Sequence, residues 1–227
     1  MIPPPNLFHN EFGLGIIYSF TIIICSLMVY FGTKEIYELS SYKGLKYFRL
    51  SFLFFAIAYL CKSFISFLLF FLGISRIIDM SPMAFGAFAL FMFMYFSSMA
   101  VFYLLYSVMW KRWKSHPNVI YIFHLIAFLL SAGSILLRGR GALLGLNLCL
   151  LLFVVFSVYI AFKDSKNRKA KHNLYPVYVL LLVFWILNIF DVLIPRFLTF
   201  FQMIVELASI FMFLLILYKV LRKTGPE

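Results

Sequence analysis

Seven stretches of this chain are continuously apolar for about the length of a bilayer crossing, and that feature constrains everything else. A membrane helix needs roughly 20 predominantly apolar residues. Such runs extend over residues 13–32, 50–72, 83–110, 119–137, 141–162, 176–194 and 197–221. The connections between them are short, and none is large enough to fold as a soluble domain. Composition agrees: 64% of the residues are hydrophobic and 12% charged, against about 45–50% and 25% in soluble domains. Mean hydropathy is +1.00. The runs are continuous and do not alternate, which argues against a closed β-barrel. The expected fold is all-α, a polytopic bundle of seven transmembrane helices. It forms one integral membrane domain over 1–227, with an outer arm at 1–12, helices over 13–221 and a short tail at 222–227.

The charged residues set the orientation. Lys34, Lys43, Lys46 and Arg49 lie in the first connection, and Lys111, Arg112 and Lys114 in the third. The fifth holds Lys163, Lys166, Arg168, Lys169 and Lys171, and the tail Lys219, Arg222 and Lys223. The opposite side carries only Arg76, Arg138, Arg140 and Arg196. Because basic residues favour the cytoplasmic side, the N-terminus is expected outside and the C-terminus in the cytoplasm. The net charge of +12 therefore fringes membrane spans, so anionic lipid headgroups are the expected partner and nucleic acid is not. The same basic loops offer a contact for a cytoplasmic protein. No basic segment precedes the first apolar run, so it reads as a span and not as a cleavable signal. Pro3, Pro4 and Pro5 predict an extended outer arm. Cys25, Cys61 and Cys149 fall inside spans as small buried hydrophobes.

Seven spans can arise from two three-helix units joined by a linker helix. The third and seventh runs end alike, in Leu105-Tyr106-Ser107-Val108-Met109-Trp110-Lys111 and Leu217-Tyr218-Lys219-Val220-Leu221-Arg222-Lys223. Ser97 and Ser209 keep the same offset. A helix leaving a membrane commonly ends in an aromatic and a basic residue, which is the alternative explanation.

Polar residues inside the apolar runs are the candidate site. A charge at mid-membrane costs about 2.5–3.5 kcal/mol on insertion scales, so it needs a reason to be there. Lys62 lies in the second run with Tyr59, Ser63 and Ser66, at spacings that share one helix face. The seventh run has a stripe of Gln202, Glu206 and Ser209, and the sixth adds Asn188 and Asp191. At a rise of 1.5 Å per residue, Lys62 and Glu206 both lie roughly 15 Å below the outer surface, with Asn188 shallower and Asp191 near the rim. The expectation is that Lys62 faces Glu206, and that both line a polar cavity with Asn188 and Asp191. Three readings stay open: a ligand or ion site, a buried pair that only fixes helix register, and no contact.

His124 shares a face with Ser131 and Ser134, and reads first as a hydrogen-bonded packing residue. Gly141 and Gly145 match the small-x-x-x-small pattern that brings membrane helices close. Trp110, Trp113, Tyr103 and Tyr106 read as an interfacial belt. The His-Glu-x-x-His zinc motif is missing, the histidines are scattered, and no aspartate cluster suits Mg²⁺. No cofactor, metal or catalytic residue is expected. The last run has only Lys219, at its cytoplasmic end, which does not suit a retinal linkage.

The outer N-terminus, the seven spans and the stretch Lys43-Gly-Leu-Lys46-Tyr-Phe-Arg49-Leu-Ser-Phe-Leu-Phe-Phe-Ala56 resemble the seven-helix sensory modules of prokaryotic membrane signalling proteins. The resemblance implies a receptor-like protein of a prokaryotic cell membrane. Such modules pass their signal to an attached cytoplasmic domain. None follows in this chain, so the resemblance implies a separate cytoplasmic signalling partner. Two other functions stay open: a small-solute or ion transporter with a three-plus-one-plus-three helix arrangement, and a membrane enzyme or accessory subunit.

Overall fold

A computed structural model describes residues 5–71, 82–113, 118–137, 140–167, 174–194 and 198–224. Eight helices follow in order: α1 Pro5–Gly32, α2 Lys34–Ser40, α3 Lys43–Phe71, α4 Pro82–Met109, α5 Val119–Leu136, α6 Arg140–Asn167, α7 Tyr175–Leu193 and α8 Thr199–Thr224. Seven are long and apolar enough to cross a membrane. The short α2 is the exception, and the protein is an integral membrane protein.

Local chemistry explains the helix ends. Pro5 and Pro82 open α1 and α4, and Pro176 lies in the first turn of α7. There the missing proline N–H has no intrahelical acceptor to lose. α1 therefore absorbs residues 5–12, where the sequence suggested an extended arm; Pro3 and Pro4 lie outside the described residues. At the C-terminal end of α1 the Thr33 hydroxyl donates to the Val29 carbonyl at 2.7 Å. α2 stops at Ser41, whose φ of 49° is left-handed. The first connection is thus a helix and a tight turn, and Lys43, Lys46 and Arg49 belong to α3.

α3 packs on α1 and α4, α4 on α6, α6 on α7, α7 on α8, and α8 on α1. Six spans close a ring in chain order. α5 stands outside it, against α4 with a lighter contact to α6. α3 and α7 face each other across the middle, and aromatic rings fill the gap. Phe55 lies 6.4 Å from Phe184 and 6.3 Å from Trp185 between ring centroids. Phe213 of α8 closes on Phe184 at 4.6 Å and on Phe52 at 6.4 Å. Phe48 reaches Tyr178 at 6.0 Å. All of these rings are buried. Edge-to-face pairs of this kind contribute about 0.5–1.5 kcal/mol each beyond area burial.

The outer surface is oily. Ile17, Phe20, Ile24 and Met28 of α1 and Phe200, Ile204, Leu207 and Phe211 of α8 are exposed, as lipid-facing residues must be. Several buried serines satisfy themselves along their own helices: Ser51 donates to the Phe48 carbonyl at 2.8 Å and Ser131 to the Ala127 carbonyl at 2.7 Å. This back-bonding satisfies both hydroxyls, whereas the buried hydroxyls of Ser26 and Ser98 have no hydrogen-bond partner among the described residues.

Two sequence expectations fail against this packing. Gly141 and Gly145 have open space where a Cβ would stand, so among the described residues they bring no other helix close. The matched endings of the third and seventh spans are not equivalent either. Tyr106 is buried beside Trp113 and Phe123, whereas Tyr218 is 55% exposed. The reason is position: α4 is enclosed by α3, α5 and α6, while α8 packs chiefly on α7 and α1.

Candidate functional site

The polar residues of α3, α7 and α8 converge toward the end of the ring where α1 and α8 begin and α3 and α7 finish, around a side chain of α1. Tyr18 and Tyr59 are both 3% exposed, and their hydroxyls lie 3.0 Å apart. Each also approaches the Asn188 carbonyl oxygen, at 3.2 Å from Tyr18 and 3.0 Å from Tyr59. Asn188 is held in turn by its Nδ2, which donates to the Phe184 carbonyl at 3.0 Å. The triangle ties α1, α3 and α7 together. Its protons are short, because two phenols supply two hydrogens for three oxygen–oxygen contacts.

Lys62 turns inward. Its ammonium lies 5.6 Å from the ring centroid of Tyr18, 5.7 Å from Tyr59 and 5.6 Å from Phe93. These are cation–π distances, and the rings come from α1, α3 and α4. Phe93 is itself fixed edge-on against Tyr59 at 5.7 Å. The seat explains how a lysine is tolerated at this depth without reaching for a headgroup.

The carboxylates gather at the same place. Asp191 and Glu206 both act electrostatically on the Tyr18 phenol, and Asp191 also on Tyr59. Asp191 feels the Lys62 charge and takes a hydrogen bond from Gln202, which joins α7 to α8. Its Oδ1 is buried and has no hydrogen-bond partner among the described residues. Ser209 is buried one turn above Phe213 of the aromatic plug. Ser63 is half-buried beside Lys62 on α3, and the Ser66 side chain lies outside the described residues.

Two residues of this site were not legible as members: Tyr18 and Phe93. Tyr18 shares a buried face with Ile22, Cys25 and Val29, a spacing visible in the sequence. An aromatic in an oily run, however, reads equally well as facing lipid. Lys62 and Glu206, expected as a facing pair, both lie in the neighbourhood of Tyr18, and Lys62 also acts on Asp191.

The charges of the basic connections divide into two kinds. Arg49 is buried, not part of a solvated loop. Its Nε donates to the Tyr30 carbonyl at 2.9 Å, and its guanidinium lies 4.8 Å from the Tyr30 ring and 5.7 Å from Tyr37. It caps the C-terminal end of α1. Lys111, Arg112, Lys163 and Lys166 are exposed, with the Lys111 ammonium 5.7 Å from the Trp110 ring. Lys114, Arg168, Lys169 and Lys171 lie outside the described residues. His124 accepts or donates at 2.8 Å with the Tyr95 hydroxyl, which is the packing role expected of it. Cys25 is buried and all three cysteines are unpaired.

A protein of the archaeon Archaeoglobus fulgidus is 30% identical over 227 residues, covering 97% of each chain. The two belong to one family. The archaeal member is described only as an uncharacterized protein, so the family brings a shared sequence without an assigned activity. No family model matches the chain, and no solved structure matches it.

Proposed function

We propose that this protein is a receptor-like membrane sensor. A small ligand or ion enters from the outer side, where the N-terminus lies, and binds among Lys62, Asn188, Asp191, Gln202 and Glu206. Binding changes the packing of α3, α7 and α8, and the exposed basic ends of α4 and α6 carry the change to a separate cytoplasmic protein. The remaining basic fringe rests on anionic lipid headgroups of a prokaryotic cell membrane.

One observation carries this reading: polar side chains from four helices meet directly above a plug of buried rings. Phe52, Phe55, Phe184 and Phe213 fill the middle of the ring, so the site has a floor. The described spans run unbroken, whereas transporters commonly use interrupted helices at their binding sites. A site closed on one side suits binding better than passage. The triangle of Tyr18, Tyr59 and Asn188 links three helices, so a ligand that competes for any of its contacts changes their relative positions.

Reconstitution tests this directly. Proteoliposomes containing a pH-sensitive dye are given a proton gradient, with and without added small solutes. The sensor reading expects fluxes equal to those of empty vesicles. A flux above that level that vanishes in Glu206→Gln would make the protein a proton-coupled transporter and overturn the proposal.

A further inference from the structure

We propose that the site takes a small organic cation, a protonated amine or a quaternary ammonium, which displaces the Lys62 ammonium from its aromatic seat. This rests on the binding-site reading above and names the chemistry of the ligand. Four observations point the same way.

The seat is built for an ammonium. Three rings from three helices surround the Lys62 nitrogen at 5.6–5.7 Å, and aromatic faces of this kind recognise alkylammonium groups. The charge balance favours a cation. Among the described residues around Tyr18 there are two carboxylates, Asp191 and Glu206, and one ammonium, Lys62. Asp191 presents a buried Oδ1 with no hydrogen-bond partner among the described residues, and a carboxylate oxygen can only accept. The floor is also short of protons, since Tyr18, Tyr59 and Asn188 share two hydrogens among three contacts. Each of these is a demand for donors or positive charge, and an anion would meet none of them.

Lys62 then acts as a resident competitor. Its side chain is flexible, and its ammonium is tethered to α3. A free cation in the seat would release Lys62 toward the outer surface and take over its contacts with α1 and α4. That exchange gives the ligand a different set of contacts in the two states, which a ligand must have in order to shift an equilibrium.

The test uses full-length protein in nanodiscs and measures thermal stability against methylammonium, tetramethylammonium, ethanolamine, sodium chloride and sodium acetate at equal ionic strength. The expected result is stabilisation by the organic cations and none by sodium chloride or acetate. Lys62→Met, which empties the seat, is expected to strengthen organic-cation binding at least ten-fold. Asp191→Asn is expected to weaken it by a similar factor. If acetate stabilises the wild type and the effect disappears in Lys62→Met, the site is an anion site: the binding reading survives and this inference falls. Equal stabilisation by sodium and by tetramethylammonium also overturns it. If no compound has an effect and Lys62→Met gains no affinity, both readings fail. The wild-type comparison decides the sign of the ligand charge even if a variant does not fold.

Discussion

Replacing Asn188 by leucine isolates the triangle that joins α1, α3 and α7. Leucine has the same branching and the same number of heavy atoms, so the change removes an acceptor without opening a cavity. Tyr18 and Tyr59 can still bond to each other, which uses one proton. The second phenolic proton loses its Asn188 acceptor while both hydroxyls stay almost fully enclosed. Leaving a buried donor unsatisfied costs about 1–3 kcal/mol. A hydrogen bond between membrane helices contributes about 0.6 kcal/mol on average. The orphaned proton therefore dominates, and the expected loss is about 2 kcal/mol, a factor of about 30 in the folding equilibrium. Equilibrium unfolding in mixed micelles measures it. The triple variant Asn188→Leu, Tyr18→Phe, Tyr59→Phe removes donors and acceptor together and is expected within about 1 kcal/mol of wild type. A triple variant no more stable than the single one would refute the reasoning. So would a single variant that costs less than about 0.5 kcal/mol, the size of one ordinary interhelical bond.

The remaining predictions concern packing and charge. Gly44→Ala would place a Cβ 2.7 Å from the Ser107 carbonyl oxygen and 2.8 Å from Trp110 Nε1. Backbone cannot yield easily there, so a loss of about 1–3 kcal/mol is expected by the same unfolding assay. Phe213→Ala removes the ring shared by α3 and α7 and is expected to cost about 3–5 kcal/mol. Arg49→Lys keeps the charge but loses the planar group stacked near Tyr30 and Tyr37. Its melting temperature is expected to fall while that of Lys46→Gln, at an exposed position, stays unchanged. The pair Lys34–Glu38, 3.7 Å apart and 59% exposed on both sides, is expected to contribute less than about 0.5 kcal/mol, measured as the coupling energy in a double-mutant cycle.

The number of spans and some of their ends were legible because they depend on a contrast between apolar runs and charged connections, whereas α1 and α3 begin well before their apolar runs. The run read as 119–137 is the helix Val119–Leu136, and that read as 176–194 is Tyr175–Leu193. The similar depths of Lys62 and Glu206 followed from counting residues, and both lie in the neighbourhood of Tyr18. Which face of each helix turns inward was much harder to read. In water the buried face is the oily one, but lipid tails are as apolar as leucine, so that contrast disappears. Tyr18 and Phe93 could not be told from lipid-facing rings for this reason. Gly141 and Gly145 fit a packing pattern and yet look outward. Arg49 read as a loop charge because its helix begins earlier than the apolar run does. Polar residues within spans were the one reliable guide, since they have only the interior to satisfy them.

The account's central claim is a polar site entered from the outer face of the ring and floored by aromatic rings. Cysteine accessibility tests it most directly. In a background without Cys25, Cys61 and Cys149, Ser63→Cys reports on the site and Ser40→Cys, on the exposed end of α2, reports on the cytoplasmic side. A membrane-impermeant maleimide added to intact cells is expected to label Ser63→Cys and to spare Ser40→Cys; in inverted vesicles the pattern reverses. Labelling of Ser63→Cys from the cytoplasmic face, or from both faces alike, would contradict the account.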